Sequence, residues 1–436
     1  MISKISESNK ALADITDRMV SERGSRRAAA AAKAKIASKD DVSFALAAPV
    51  AKRHSPQATQ TKKLASQTSQ TVAATSKSSS LFDKLCKASP AAIPTLVKSW
   101  MKKATKDMEG AVSDLVFLIL DTAGADSSKC VLERQFFDNQ EEVLKCIDSF
   151  DADVRKNNQV AFQGQSTYAV KVSSFRNTYL TFWAKLFKDS KEHVLFHQFL
   201  LDCLPCWLSM LSISEIRSFR HTATVTSLQV IYSCLEVQLD LEKLNENFNL
   251  QQKSRKSKAA ESSRSELVQK IEVLKVLREY LEQHVFAKRA KDICPQIRKD
   301  CLAFLGKWME RCPNEYLDGK YLKYVSWALY DKDKDVRECA VQILTRIYSK
   351  SEQDVDLKTV AMALKGRLIE MLHDVSSAVA RQTIALLTCF VKPQAKYLES
   401  SEMKDVIKLL CSTSKSIRKA VANFVAVSHF PNEKGI

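Results

Sequence analysis

Tyr321-Leu-Lys-Tyr-Val-Ser-Trp327, closely followed by Asp331-Lys-Asp-Lys-Asp-Val-Arg337, reads as a helix, a short polar turn and a second helix. In the first helix Leu322, Val325, Ala328 and Leu329 recur at helical spacing. The turn is built of Asp and Lys, and the second helix opens at Asp335-Val-Arg337 and carries its apolar stripe on through Ala340, Ile343 and Leu344. Acidic residues at a helix start are favoured by the partial positive charge of its unpaired amides. With the Val packed inward, the adjoining Arg is placed to cover and bond neighbouring turns.

The turn recurs. Ile297-Arg298, Val336-Arg337, Val379-Ala380 (Arg381 standing one place late) and Ile417-Arg418 follow one another at 39, 43 and 38 residues. HEAT and armadillo arrays repeat at about 40–47 residues. Ile216-Arg217 reads as an earlier copy, about two such periods upstream. Copies in phase predict an all-α chain, a HEAT-repeat, armadillo-like α-solenoid in which each helical pair buries its apolar face on its neighbours.

Composition agrees. Only eight of 436 residues are glycine and none forms Gly-x-Gly, which excludes the phosphate-cradling loops of nucleotide-binding enzymes. A formal charge of +17 suits a polyanionic partner such as nucleic acid, and equally a basic helical protein without one. The N-terminus lacks the apolar core of a signal peptide, and no apolar run is long enough for a membrane span. Twelve cysteines scattered through apolar helical stretches read as reduced core residues of cytosol or nucleus.

Along the chain, residues 1–79 stand apart. Phe44 is their single aromatic, and from Lys4 to Lys77 fourteen Lys/Arg face six Asp/Glu. Such a segment buries too little apolar surface to offset its ordering entropy, so a disordered basic tail is expected. Within it, Lys52-Arg53 and Lys62-Lys63 have the spacing of a bipartite nuclear signal, and Arg23-Gly-Ser-Arg-Arg27 lacks the core of a minor-groove hook. Residues 80–245 read as successive amphipathic helices, with Trp100, Leu115, Tyr179, Phe182, Trp183, Leu204 and Trp207 in their stripes. Residues 246–284 read as a projecting helical hairpin. A basic stretch lies near its tip, and Leu267, Ile271, Leu274, Leu277 and Leu281 line one face. Residues 285–371 hold the quoted repeats and 372–436 further ones.

No constellation supports catalysis or a cofactor. His193 and His197 share a helix face, but only five residues separate them from Cys203-Leu-Pro-Cys206, and core residues fill the segment. The Cys-x-x-Cys also lacks the βαβ setting of a redox dithiol. His221 has no nucleophile or paired acid nearby in sequence and reads as a structural residue. For DNA the folded candidates are Lys98, Lys102, Lys103 and Lys106, and the hairpin cluster Lys253, Arg255, Lys256 and Lys258. Both would meet phosphates without reading bases, or else be solvated helix faces. Tyr324 and Trp327 lie three apart beside Lys323, either as repeat core or as a surface pocket.

Beyond the repeat class, Phe286-Ala-Lys-Arg-Ala-Lys-Asp292, Gly306-Lys-Trp-Met309 and Tyr321-Leu-Lys-Tyr-Val-Ser-Trp327 resemble the conserved domain of the stromalin (stromal antigen) family, the HEAT-repeat subunit of cohesin. Upstream, Arg217-Ser-Phe-Arg-His-Thr222 resembles that family's Arg-x-Phe-Arg-His-Thr turn, and Leu81-Phe-Asp83 with Trp100 resembles the start of its folded region. The resemblance runs from about Ser80 to Ile436. It implies a non-catalytic scaffold in the nucleus, on chromatin. Such a scaffold would hold the kleisin subunit, and through it the SMC proteins, bind double-stranded DNA nonspecifically and dock cohesin regulators, in support of sister-chromatid cohesion. It further implies that Tyr324 and Trp327 help form a pocket for short aromatic motifs. The family adds an Arg at the place of Ala363 here, which leaves Lys365 and Arg367 as candidate substitutes. Where the family has a lysine pair before Phe175-Arg176, this chain has Ser173-Ser174. Family members carry many more repeats, so the array is expected to be cut short at Ile436 or to belong to a short divergent member. Another HEAT scaffold, such as a nuclear transport receptor, would share the turns but not this wording.

Overall fold

The computed structural model describes residues 80–127, 140–157, 172–252, 258–350, 357–391 and 397–429. The expectations for the basic tail, and for Lys253, Arg255 and Lys256, fall outside the described residues. Among the described residues every regular element is helical. The chain opens with α1 (Leu81–Lys87), α2 (Ile93–Ala104), α3 (Met108–Thr122) and α4 (Gln140–Asn157). There follow α5 (Val172–Asp189), α6 (Gln198–Ile213), α7 (Arg217–Gln252) and α8 (Lys258–Leu281). Then come α9 (Pro295–Arg311), α10 (Gly319–Ala328), α11 (Lys334–Ser349), α12 (Leu357–Glu370), α13 (Ser377–Phe390), α14 (Ser400–Lys408) and α15 (Lys415–His429).

The helices form a solenoid because alternate ones stack. Helices α5, α7, α9, α11, α13 and α15 pack each on the next in a continuous row. The local chemistry of α10 and α11 shows why this sequence makes such a pair. Asp318 caps α10 by accepting the Lys320 N–H, and Tyr321, Val325, Ala328 and Leu329 turn inward. Asp333 caps α11 through the amides of Asp335 and Val336, and Val336, Ala340, Ile343, Leu344 and Ile347 form its buried stripe. Upstream, the rings of Trp100, Tyr179, Phe182, Trp183 and Trp207 are all buried, as their spacing predicted. Trp100 Nε1 also donates to the Ala111 carbonyl at 2.8 Å, which ties α2 to α3.

Helices α9 and α11 approach closely at Gly306. A Cβ there would lie 2.8 Å from Ile343 Cγ1 and 3.1 Å from Arg346 Nη2. Gly306→Val is therefore expected to overpack this contact and remove about 1–3 kcal/mol, read as a lowered thermal midpoint by circular dichroism. An unchanged midpoint would show that α11 gives way instead.

The arginines of the recurring turn form a ladder along one edge of the row. Arg298 Nη1 donates to the carbonyls of Asp292 and Ile293, and its Nε and Nη2 grip Asp331 at 2.7 and 2.6 Å. Arg337 repeats the arrangement with the Asp331 and Lys332 carbonyls and with Asp374, at 2.7 and 2.8 Å. Each Asp also closes its own turn, Asp331 through the Asp333 N–H and Asp374 through the Ser376 N–H. Burial works against ionisation of Asp331 and Asp374, but these hydrogen bonds outweigh it and hold both carboxyls below their ordinary value.

The earlier copy is placed differently from the sequence reading. The ladder residue is Arg220, not Arg217: Arg220 Nη1 bonds the Ser214 and Glu215 carbonyls and its Nε reaches Asp292 at 2.8 Å. Arg298, Arg337 and Arg418 each stand three residues inside their helix, as Arg220 does, and Arg217 is only the first residue of α7. Arg217 is exposed, whereas Arg220 is buried.

Candidate docking surface

Helix α10 carries Tyr324 and Trp327, and it is fixed from below by a buried polar cluster. α8 runs into a π-helical turn, Glu282–Phe286, which brings the Glu282 carboxylate under α10. Glu282 accepts from the hydroxyls of Tyr316 and Tyr321, and Arg278 donates to Tyr316 at 2.6 Å and pairs with Glu315 at 2.7 Å. Burial raises the pKa of Glu282, and the two tyrosines and Arg278 work against that rise. The same turn aims Phe286 between Trp308, at 5.1 Å, and Tyr324, at 5.0 Å between ring centres.

Trp327 does not belong to the core. It is 48% exposed, while Tyr324 is half-buried and meets it edge to face at 5.5 Å. Lys291 places its ammonium 4.3 Å from the centre of the Trp327 ring, and Lys323 lies 5.3 Å from that of Tyr324. At exposed sites such cation–ring contacts contribute about 0.5–1 kcal/mol each. Nearby, Ile293 and Tyr330 are exposed along an open groove of about 620 Å³ that Arg298 and Lys332 line together with Asp292, Asp331 and Asp333. The arrangement offers an apolar, aromatic platform with ammonium groups at its rim, suited to a side chain that is aromatic or apolar with an anionic group beside it.

The two other candidates for this site are engaged. Lys365 pairs with Glu402 at 3.0 Å and Glu399 at 3.5 Å. Arg367 donates to the Leu329 carbonyl and to Glu370, and its guanidinium lies 4.4 Å from the centre of the Tyr330 ring. Ala363 is exposed on α12. Lys291 was not singled out from the sequence, although it sits in the Phe286–Asp292 motif; its contact with Trp327 joins segments 36 residues apart, as the residue numbers give.

Among the DNA candidates, Lys98, Lys102 and Lys106 are exposed at four-residue intervals along α2 and the turn that follows it. Lys103 is tied to Asp114 at 2.7 Å and to the Gly110 carbonyl. Lys258 opens α8. Lys84 and Lys87 of α1, which the sequence reading passed over, are exposed beside a depression that Thr95 and Leu96 of α2 also line. Of the other constellations, His193 and His197 are exposed while Cys203 is buried, and burial pushes the Cys206 thiol up to about 12. Among the described residues no three His, Cys, Asp or Glu side chains are grouped to hold a metal. His221 Nε2 lies 2.8 Å from Asp300, which Arg176 also holds at 2.7 Å, so α5, α7 and α9 meet at one carboxylate.

The stretch that carries this surface is similar to known proteins. The stromalin conservative domain matches residues 291–363, which contain α9, α10, Trp327 and Lys291, and the STAG domain matches residues 166–273. Cohesin subunit SA-3 of Rattus norvegicus is 26% identical over 368 residues, which are 82% of this chain and 29% of that protein. Cohesin subunit psc3 of Schizosaccharomyces pombe is 25% identical over 350 residues, 77% of this chain and 36% of that protein. The chain thus spans about a third or less of the length of these relatives. Among solved structures, cohesin subunit Scc3 from Z. rouxii, residues 88–1035, superposes with a TM-score of 0.66 at 22% identity, covering 80% of this chain and 42% of that one, and so shares its fold. Both family domains lie in chain order on a solenoid of this kind, and the chain is similar to cohesin subunits of the stromalin family.

Proposed function

We propose that this chain is a non-catalytic scaffold of the cohesin complex, acting in the nucleus on chromatin in support of sister-chromatid cohesion. In this reading residues 80–245, 246–284, 285–371 and 372–436 act as one solenoid with a helical hairpin. The solenoid holds the kleisin subunit, and through it the SMC proteins, and docks regulators through the aromatic pair. The observation that carries the reading is Trp327: a large indole, 48% exposed under the ammonium of Lys291, within the stretch that matches the stromalin conservative domain. A solenoid leaves such a residue outside its core at a cost in apolar exposure, which a bound partner offsets. Affinity capture of the full chain followed by mass spectrometry tests the assignment. Kleisin and SMC proteins are the expected prey, and recovery of transport cargo without them would overturn it.

Double-stranded DNA is the second partner in this proposal, met nonspecifically through the exposed lysines of α2. Binding should fall with salt at about 0.9 log units per neutralised phosphate. Lys98→Glu, Lys102→Glu and Lys106→Glu together should flatten that slope and weaken every sequence alike, in chains with and without residues 1–79. Equal slopes for variant and parent would show that this face is only solvated.

A further inference from the structure

The arginine ladder is broken at one rung, and it is broken on both sides. Where Arg220, Arg298 and Arg337 stand in their copies, the next copy has Ala380, and it is buried. Where Asp292, Asp331 and Asp374 receive those arginines, the following turn has Ser412. Arg381 does not step in, since it turns back toward Glu338 of α11, at 4.0 Å. Ala380 has no donor to offer the carbonyls of Asp374 and Val375, which match those that the ladder arginines bond in the other turns.

The Ser412 turn is otherwise built like its counterparts. Ser412 Oγ accepts the Ser414 N–H at 3.3 Å, and Arg418 Nη1 donates to the Ser412 and Thr413 carbonyls at 2.7 and 2.8 Å. What is missing is the arginine–carboxylate tie between α13 and this turn; the junction keeps the pairs of Lys365 in α12 with Glu402 and Glu399. Loss of one partner alone would strand a half-buried charge, whereas loss of both leaves the junction neutral. α15 is then held to α13 by apolar packing, with Ile417, Val421 and Phe424 buried. Apolar burial is non-directional, while a bidentate arginine–carboxylate pair fixes angle and register.

We infer that the junction of α13 with α15 is a compliant joint, across which α15 tilts against the stiffer, ladder-braced repeats from α7 to α13, pivoting on the side where Lys365 of α12 holds Glu402 of α14. The joint lets the solenoid change its curvature at this point around whatever lies along it, without unpacking a repeat.

Equivalent positions one residue past the ladder make the test direct. Spin labels are introduced through an unnatural amino acid, because the chain has twelve cysteines of its own. In the full chain they are placed in pairs at positions 299 and 381, spanning two intact rungs, and at 338 and 419, spanning one intact and one broken rung. Pulsed dipolar spectroscopy should give a distance distribution about twofold broader for the second pair. Ala380→Arg combined with Ser412→Asp should narrow it to the width of the first pair, while either substitution alone leaves it broad. Amide exchange of α15, read on the same protein, should remain slow. Equal widths in the parent chain overturn the joint, and so does a broad width accompanied by fast exchange throughout α15, which is fraying. Where circular dichroism shows the restored variant misfolded, the reverse experiment decides. Arg337→Ala with Asp374→Ser should broaden the pair at 299 and 381 to match, and a width that does not change overturns the proposal.

Discussion

Asp292→Ala is expected to remove about 3–5 kcal/mol of stability, the largest loss from any single change in the ladder. The Asp292 side chain is 1% exposed and accepts from Arg220 Nε at 2.8 Å, Arg289 Nη1 at 2.7 Å and the Cys294 N–H at 2.8 Å. Its removal leaves the buried Arg220 guanidinium without its counter-charge and opens the turn that starts α9. The bonds of Arg220 to two carbonyls satisfy hydrogens but not charge. Asp292→Asn, which keeps an acceptor oxygen but not the charge, should recover only part of this loss. Urea unfolding followed by circular dichroism measures both, and a loss below about 1 kcal/mol, the value of exposed pairs, would mean that water screens the pair after all.

The second large effect separates two tryptophans that lie 19 residues apart in the sequence. Trp308 has no exposed surface and sits against Phe286 and Tyr316, so Trp308→Ala should cost about 3–5 kcal/mol and lower the melting temperature. Trp327→Ala removes a ring that already stands half in solvent, so the melting temperature should stay nearly unchanged. It should nonetheless abolish capture of an aromatic-motif peptide by the chain in the presence of a kleisin subunit. Ala363→Arg, which adds a guanidinium on α12, should strengthen that capture through a charge-assisted contact. Unfolding on Trp327→Ala, or unchanged capture by the folded variant, would sink the docking role.

The period of the solenoid was legible because it rests on local chemistry that repeats: an acidic turn, an inward aliphatic residue and an arginine. Val336-Arg337 and Ile297-Arg298 gave it correctly. Its upstream register was not legible. Ile216-Arg217 fits the same dipeptide, but the true copy is Phe219-Arg220, and the partner that defines it, Asp292, lies beyond the whole α7–α8 pair. A rung is a property of two turns, so a pattern read one turn at a time misplaces it.

The candidate site was legible in part for the same reason. Tyr324 and Trp327 stand out on one helix, but spacing could not say whether Trp327 faces the core or solvent. That depends on the π-helical turn at Glu282–Phe286, which sets where Phe286 packs. Lys291 over the indole, and the engagement of Lys365 and Arg367 by Glu402, Glu370 and the Leu329 carbonyl, all cross between elements. Helical periodicity within one element carries no trace of them.

The placement of the tryptophans gives the molecule an optical property. The chain has five: Trp100, Trp183, Trp207 and Trp308 are at most 4% exposed, and Trp327 alone is open to solvent, at 48%. A collisional quencher such as acrylamide or iodide therefore finds a single emitter in the native protein, and that emitter lies on the proposed docking surface. The quenchable, red-shifted fraction of the native emission is a label-free gauge of occupancy there, while the blue, protected fraction reports on the integrity of the solenoid. One cuvette thus separates a ligand that covers the surface from a change that loosens the fold.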